Sequence, residues 1–310
     1  MKYLSIDIGG TFIKYAIINK DIEITEKSKV KTPKEDENAS EDFINAIVDI
    51  YNKYRGEVEG VAISMPGILN SDTGYLYTSG ALEYVSNKNI ISILSESIDV
   101  PITVENDGKC AALAELWCGK LSKVKNGAVV LLGTGVAGGI IIDGKLHKGN
   151  NFSAGEFSYV ADGSSNVNDV NGYWGMINSV STLIQLVSDE TGIPKEELSG
   201  EKIFEMANMN NKKVLKALNT YTKNLAIKIY NLQVLLDLDL IAIGGGISQQ
   251  PLLLQYLQSN IDDLVDNNPL RIIGPFIPTP IVTTCRFFND SNLIGALYHH
   301  LSKKEIIRVS

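Results

Sequence analysis

Cysteine and histidine are scarce in this chain of 310 residues, which contains three of each. An odd number of cysteines in so long a chain favours reduced thiols over a disulfide framework, as is typical of a protein in a reducing cytoplasm. No pair of cysteines has the Cys-x-x-Cys spacing of a structural zinc site, and three histidines are few for one. We therefore expect a cytoplasmic protein without zinc.

Long apolar runs and an excess of positive charge are also lacking. No stretch approaches the roughly 18 apolar residues of a membrane helix, and the first residues are typical of a β-strand, not of a signal peptide. Lys and Arg number 28 against 36 Asp and Glu, so the formal net charge is −8. This balance argues against a general nucleic-acid or anionic-membrane binder, and we expect neither partner.

The chain is long enough for two domains of about 150 residues each. A strand, a glycine-rich turn and a second strand occur twice, about 125 residues apart, around Gly9-Gly10 and around Gly133–Gly139, which indicates an internal repeat. Such hairpins alternate with β-α-β patterns along the chain. We therefore predict an α/β fold with mixed sheets.

The second glycine turn matches the dinucleotide-binding pattern Gly133-x-Gly135-x-x-Gly138. That pattern requires a helix directly after the turn, so that the helix N-terminus faces the pyrophosphate. Residues 139–143 instead have the pattern of a strand. The sequence therefore does not predict a Rossmann domain.

A glycine hairpin can hold phosphate in another way. Successive amides converge on an anion, glycine permits positive φ, and a neighbouring Thr adds a hydroxyl donor. The candidate residues are Gly9, Gly10 and Thr11 in the first half and Gly133, Thr134 and Gly135 in the second. Either turn alone is compatible with a plain hairpin, but the pair predicts one ligand shared by the halves. Asp7 precedes the first turn and fits a water-mediated Mg²⁺ contact, or simply caps the hairpin.

Five motifs span residues 7–14, 105–112, 132–139, 155–157 and 243–248. They occur in the order found in ROK-family sugar kinases, and the chain resembles that family over nearly its whole length. The resemblance implies the actin-like ATPase fold, with two RNase H-like domains hinged around ATP and a sugar. It also implies that the last helix returns to the first domain, so we predict one domain of residues 1–118 plus 290–310 and another of 119–289. A homodimer is implied as well.

The resemblance implies roles for individual residues. Asp107 matches the general base, although a helix N-cap would also suit this position. Asn106 and Glu156 match sugar-hydroxyl contacts, although Glu156 could be an ordinary loop residue. Mg-ATP is the implied cosubstrate. The other positions that it implies are Gly67 and Tyr159 for the sugar, and Lys14, Gly244, Gly245 and Gly246 for ATP.

The chain departs from the family around the sugar and zinc motifs. Family members read Gly-Glu-x-Gly-His, where this chain has Ser158 and Tyr159 in the last two places. The zinc loop corresponds to residues 169–176, which keep two glycines and contain no cysteine. A second sugar-binding Glu is missing too, because no acid occurs between Val170 and Ser188. We therefore predict no zinc and a changed sugar pocket.

Aromatic residues stand where those polar groups are lost. Tyr159, Tyr173 and Trp174 could stack on a second sugar or an aglycone, or could merely pack in the core. Stacking on a second sugar or an aglycone predicts a kinase that acts on the 6-hydroxyl of a β-glucoside, a disaccharide or another substituted hexose. The alternatives are a kinase of a free hexose or N-acetylhexosamine, such as glucokinase, fructokinase or N-acetylmannosamine kinase, and a non-catalytic sugar-binding or ATP-binding regulator. A repressor is not expected, since the first strand leaves no room for a DNA-binding domain ahead of it.

Overall fold

We describe residues 1–34, 36–163, 168–272 and 277–303 of a computed structural model. The strands are β1 (Lys2–Ile8), β2 (Phe12–Asn19), β3 (Ile24–Lys31), β4 (Val61–Met65), β5 (Leu69–Asn70), β6 (Tyr75–Leu76), β7 (Ile102–Asn106), β8 (Gly127–Leu132), β9 (Val136–Ile142), β10 (Lys145–His147), β11 (Leu240–Gly244) and β12 (Val282–Thr284). The helices are α1 (Ala39–Asn52), α2 (Ile90–Leu94), α3 (Asp107–Cys118), α4 (Trp174–Ile177), α5 (Val180–Thr191), α6 (Gly200–Asn208), α7 (Lys212–Leu236), α8 (Pro251–Asp266) and α9 (Ser291–Lys303).

The chain forms two compact units. The first contains residues 1–119, 145–155 and 289 onward, and the second contains residues 120–144 and 156–288. This grouping differs from the predicted boundaries in the segment 145–155, which the prediction assigns to the second domain. That segment contains β10 and leads into the predicted sugar-binding residue Glu156.

The sheet of the first unit has the strand order β3-β2-β1-β4-β7. β1 and β2 form the hairpin that the sequence predicts, with Ile8 opposite Ile13 on either side of the glycine turn. β4 lies parallel to β1 on one side and to β7 on the other. β4 is buried throughout its length, which explains why its sequence is mostly apolar.

Strands of the second unit repeat this arrangement in the order β9-β8-β11-β12. β8 and β9 are antiparallel, and β11 lies parallel to β8 and to β12. Each unit therefore places a glycine-turn hairpin beside parallel strands. The predicted α/β class with mixed sheets is confirmed, and the duplicated turn lies at equivalent places in the two sheets.

The core of the first unit includes helices on its sheet. α9 packs on α3, β1 and β4. The approach of α9 to α3 is close enough that a Cβ on Gly295 would lie 1.7 Å from the Cys110 carbonyl oxygen. Glycine at this position therefore sets the distance at which the last helix packs on the helix that begins at Asp107.

The core of the second unit forms where α5, α7 and α8 pack together. α7 begins at the cap residue Asn211, whose side chain accepts from the amides of Lys213 and Val214. Its buried residues recur at helical spacing, and α8 packs along it. No described helix has the length and the apolar character that crossing a bilayer requires.

Candidate functional site

The junction between β7 and α3 carries the predicted base. Asn106 is the N-cap of α3, because its side-chain oxygen accepts from the Lys109 amide at 3.0 Å. Asp107 is the first residue of the helix, and one of its oxygens accepts from the Gly108 amide at 2.7 Å. The capping role that the sequence left open for Asp107 is therefore filled by Asn106.

Asn106 also donates from its amide nitrogen to the carbonyl of Gly67, at 3.0 Å. Gly67 has a φ of 99°, and a Cβ there would lie 2.3 Å from the Thr78 carbonyl oxygen. Only glycine fits such a backbone without strain. The structure thus brings Asn106, Gly67 and Thr78 together in the first unit.

Asp7 is buried at the end of β1 and held by three groups. Its Oδ1 accepts from the Ser64 hydroxyl at 3.2 Å and from the Asn292 side-chain amide at 2.9 Å. Its Oδ2 faces the Lys14 ammonium at 3.4 Å, because Lys14 stands directly opposite Asp7 in the hairpin. Asp7 and Lys14 are therefore an ordered ion pair beside the first glycine turn.

The backbone of the two glycine turns does not use the positive φ that glycine permits, since none of Gly9, Gly10, Gly133 and Gly135 has it. Phosphate binding at these turns stays a prediction. The amide of Gly9 instead bonds to the Phe12 carbonyl at 3.0 Å, and the amide of Gly133 bonds to the Gly135 carbonyl at 3.0 Å. Thr11 and Thr134 are exposed at the turns.

The third glycine cluster, Gly244 to Gly246, lies at the end of β11 in the second unit. Gly245 has a φ of 93°, and a Cβ there would lie 2.1 Å from the Leu132 carbonyl oxygen. A Cβ on Gly244 would lie 2.5 Å from a Leu131 side-chain carbon, whereas a Cβ on Gly246 would meet no atom within 4 Å. Packing therefore explains the first two glycines, and the space beside Gly246 is open for another molecule.

Glu156 opens the predicted sugar segment and is partly exposed. The short 3₁₀ turn Phe157–Tyr159 follows it. The Ser158 hydroxyl fastens this turn to β9, accepting from the Val136 amide at 3.1 Å and donating to the Val136 carbonyl at 2.9 Å. Glu156 and the second glycine turn are thus held near each other within the second unit.

A cavity of about 460 Å³ lies beside this turn. Tyr159, with 67% of its surface exposed, forms one wall. The described residues that line the cavity include no acid and no histidine, and most of the lining surface is apolar. They are Gly135, Ser158, Tyr159, Val170, Tyr173, Gly175 and Met176.

Trp174 does not join the two tyrosines. Its side chain is 1% exposed and packs on Phe157, with ring centroids 5.1 Å apart. The alternative that this aromatic residue packs in the core is therefore correct for Trp174, while Tyr159 and Tyr173 line the cavity.

The loop that corresponds to the zinc loop is held by other contacts. Asp169 caps a short turn by accepting from the Asn171 amide at 2.9 Å. Asp162 is paired with Lys228 of α7. Within the described ranges, no three His, Cys, Asp or Glu side chains cluster as a metal site would require.

The predicted residues fall into one group in each unit. Asp7, Gly9, Gly10, Thr11, Lys14, Gly67, Asn106 and Asp107 lie in the first unit. Gly133, Thr134, Gly135, Glu156, Tyr159, Gly244, Gly245 and Gly246 lie in the second.

Four further polar residues support the first group and were missed from the sequence. Ser64 and Asn292 hold Asp7, while Glu105 and Lys148 form an ion pair behind Asn106. Glu105 is the first residue of the motif at 105–112, so the sequence could have indicated that it supports the site. Asn292 lies 285 residues from Asp7, and no local pattern points to that pairing.

His299, on α9, makes folding sensitive to acid. Burial lowers its pKa from 6.5 to about 4, although the neighbouring Glu105 opposes the shift. Between pH 6.5 and pH 4 the unfolded chain binds a proton that the folded chain excludes, so stability falls as the pH drops through this window. We expect His299 to account for a loss on the order of 2 kcal/mol between pH 7 and pH 5.

Urea unfolding of the wild type and of His299→Gln at pH 7 and pH 5 measures this loss. The variant lacks the titrating ring, so its free energy of unfolding should fall less than that of the wild type. Equal falls in the two proteins would contradict the assignment to His299.

Comparison with known proteins finds one family model and several relatives that match most of this chain. The model of the ROK family matches residues 3–302. A β-glucoside kinase of Listeria monocytogenes is 29% identical over 98% of this chain and 99% of its own length. An N-acetyl-D-glucosamine kinase of Haemophilus influenzae is 30% identical over 79% of this chain and 84% of its own. The crystal structure of a ROK family protein from Streptococcus pneumoniae in complex with sucrose is 29% identical, with a TM-score of 0.85 over 99% of this chain and 100% of that one.

Proposed function

The chain belongs to the ROK family, and from this premise we propose that it phosphorylates the 6-hydroxyl of a hexose that is substituted at its anomeric carbon, such as a β-glucoside or a disaccharide. The enzyme is an ATP-dependent sugar kinase with the actin-like ATPase fold, as the sequence predicted.

The cavity beside Tyr159 is the observation that carries the choice of substrate. Its walls present tyrosine faces and the Met176 side chain next to the segment that begins at Glu156. A site that recognises a free anomeric hydroxyl needs a polar partner for it, because a buried polar group without a partner is costly. Apolar walls instead suit the face of a second sugar ring or an aryl group.

Two of the similar proteins agree with this choice and one does not. The Listeria relative is named for β-glucosides, and the Streptococcus structure holds the disaccharide sucrose. The Haemophilus relative is named for N-acetyl-D-glucosamine. A kinase of a free hexose or an N-acetylhexosamine therefore remains the second candidate, and the substrate assay below separates the two.

Asp107 is proposed as the general base that removes the proton from the attacking hydroxyl. Asn106 has one side-chain N–H beyond the hydrogen bonds described above, and it can donate to a sugar hydroxyl. Glu156 can accept from two neighbouring hydroxyls. Asn106 and Asp107 lie where β7 meets α3, and Glu156 lies directly before the turn Phe157–Tyr159.

ATP and Mg²⁺ are proposed to bind at the glycine turns. Asp7 offers a single carboxylate whose Oδ1 already accepts two hydrogen bonds, which fits a water-mediated Mg²⁺ contact better than a direct ligand cage. When bound there, Mg²⁺ would neutralise charge on the phosphates. Phosphate oxygens can accept hydrogen bonds from Lys14, Thr11 and Thr134, and the open space beside Gly246 suits the adenosine.

The absence of zinc, the homodimer and the cytoplasmic location stay predictions.

The test is sugar-dependent ADP release with glucose, fructose, N-acetylmannosamine, cellobiose and phenyl β-glucoside as acceptors. We expect higher kcat/KM for the two glucosides than for glucose. We also expect Tyr159→Ala to lower this preference by about tenfold, since one apolar contact is worth roughly 1–3 kcal/mol.

Tyr159→Phe is the matched control, because it keeps the ring and should keep the preference. A wild type that prefers glucose would overturn the substrate proposal. ATP binding without release of ADP on any acceptor would indicate a regulator instead of a kinase.

A further inference from the structure

Glu105 is a charged residue in the interior that the proposed chemistry does not use. It lies at the end of β7, directly before Asn106, and its side chain is 1% exposed. Burying a carboxylate is costly unless a partner compensates its charge. The contacts that compensate Glu105 therefore show what this residue does.

The Glu105 carboxylate connects the junction between β7 and α3, which carries Asp107, to the segment that contains Lys148. Its Oε1 accepts from the Asn106 amide at 2.9 Å. Its Oε2 lies 2.9 Å from the Lys148 ammonium and 3.7 Å from His299 Nδ1. Lys148 also donates to the Ser71 hydroxyl at 2.6 Å.

Lys148 supplies the charge that compensates Glu105. Because the pKa of His299 is about 4, its ring is neutral at pH 7 and cannot act as the counter-ion. Burial by itself would raise the pKa of Glu105, but the positive charge of Lys148 and the hydrogen bonds from Lys148 and the Asn106 amide hold it below its ordinary value. Glu105 is thus ionised and bound to Lys148 at neutral pH.

Asn106 transmits this contact to Asp107. Its backbone amide donates to Glu105, its side-chain amide donates to Gly67, and its side-chain oxygen accepts from the Lys109 amide. Three hydrogen bonds therefore fix the orientation of Asn106, the residue before the base. A change in the Glu105 carboxylate would shift the backbone from which Asp107 extends.

Lys148 lies in the segment 145–155, which groups with the first unit although the chain on both sides belongs to the second. This segment ends at Gly155, directly before Glu156. One ion pair therefore holds both the turn that carries Asp107 and the segment that leads into Glu156.

We propose that Glu105 and Lys148 are a positioning pair for the kinase reaction, which orients Asp107 and anchors the segment that leads to the sugar-binding Glu156. This inference rests on the proposed function. Neither residue touches the reacting atoms, so the pair acts on kcat through geometry. A misplacement of about 1 Å in such a group can cost on the order of 100-fold in rate.

The test compares Lys148→Met, Glu105→Gln and the double variant with the wild type. Each single variant should lower kcat by about 10- to 100-fold, while the KM for ATP stays within about threefold of the wild-type value. Lys148→Met should also lower the melting temperature, because it leaves Glu105 buried without a counter-ion. Lys216→Met is the control, since it breaks the surface ion pair with Glu190 and should leave kcat unchanged.

The double variant separates positioning from stability. It removes both charges, so its melting temperature should recover relative to Lys148→Met, while its kcat should stay low. If kcat recovers together with the melting temperature, or if folded single variants keep wild-type kcat, the pair is structural and the inference is wrong. A wild type without sugar-dependent activity would instead refute the proposed function.

Discussion

Replacing Asp107 by Asn is expected to lower kcat by about 100- to 10,000-fold, the range that a positioned general base contributes. The amide of Asn cannot take a proton from the attacking hydroxyl. The fold should be unaffected, because Asn106 and not Asp107 caps α3. Steady-state ADP release with the preferred acceptor measures the loss, and the melting temperature shows whether the variant folds.

Asp266→Asn is the matched control for this variant. It makes the same chemical change at an exposed residue paired with Arg271, so its kcat should stay within about twofold of the wild-type value. Near wild-type turnover in Asp107→Asn would contradict the role of Asp107 as the base.

Replacing Asp162 by Asn is expected to destabilise the protein much more than replacing Lys228 by Met, although both changes break the same ion pair. The side chain of Lys228 is 4% exposed, whereas that of Asp162 is 47% exposed. Asp162→Asn leaves a buried ammonium without its counter-charge, at a cost of roughly 3 kcal/mol. Lys228→Met leaves a carboxylate that water can solvate, at a cost of about 1 kcal/mol.

Urea unfolding of the two variants at pH 7 gives the two free energies directly. The double variant should be close in stability to Lys228→Met, because it contains no buried unpaired charge. Equal losses in the two single variants would contradict the unequal burial of the pair. A larger loss in Lys228→Met would contradict it as well.

The regular elements could be predicted because their signals are local. The sequence predicts a helix over residues 213–236, and α7 spans Lys212–Leu236. Apolar residues at helical spacing mark its buried face. The first hairpin was predictable for a similar reason, since two strand-like runs flank Gly9-Gly10.

Contacts between distant segments could not be predicted. Asn292 reaches Asp7 from the last helix, and Lys148 reaches Glu105 from a segment that follows β10. Each pairing depends on how strands and helices pack, which no periodicity in the sequence reports. The conformation of the glycine turns could not be predicted for a related reason, because the turn type decides φ and sequence composition does not.

Burial is the other quantity that the sequence left open. Tyr159 and Trp174 are both aromatic and lie in one loop-rich region, so both could contact a substrate. The structure separates them, since Trp174 packs on Phe157 while Tyr159 is exposed at the cavity. The loss of the cysteines and of the second Glu, by contrast, was visible directly in the sequence.

A competition assay tests most directly whether the acceptor is a substituted hexose. Equal concentrations of glucose and cellobiose are mixed with ATP and a limiting amount of enzyme, and mass spectrometry gives the ratio of the two phosphorylated products. This ratio equals the ratio of the two kcat/KM values. We predict that cellobiose phosphate exceeds glucose phosphate by at least about tenfold, the discrimination expected from one well-formed apolar contact. A mixture dominated by glucose phosphate would contradict the account.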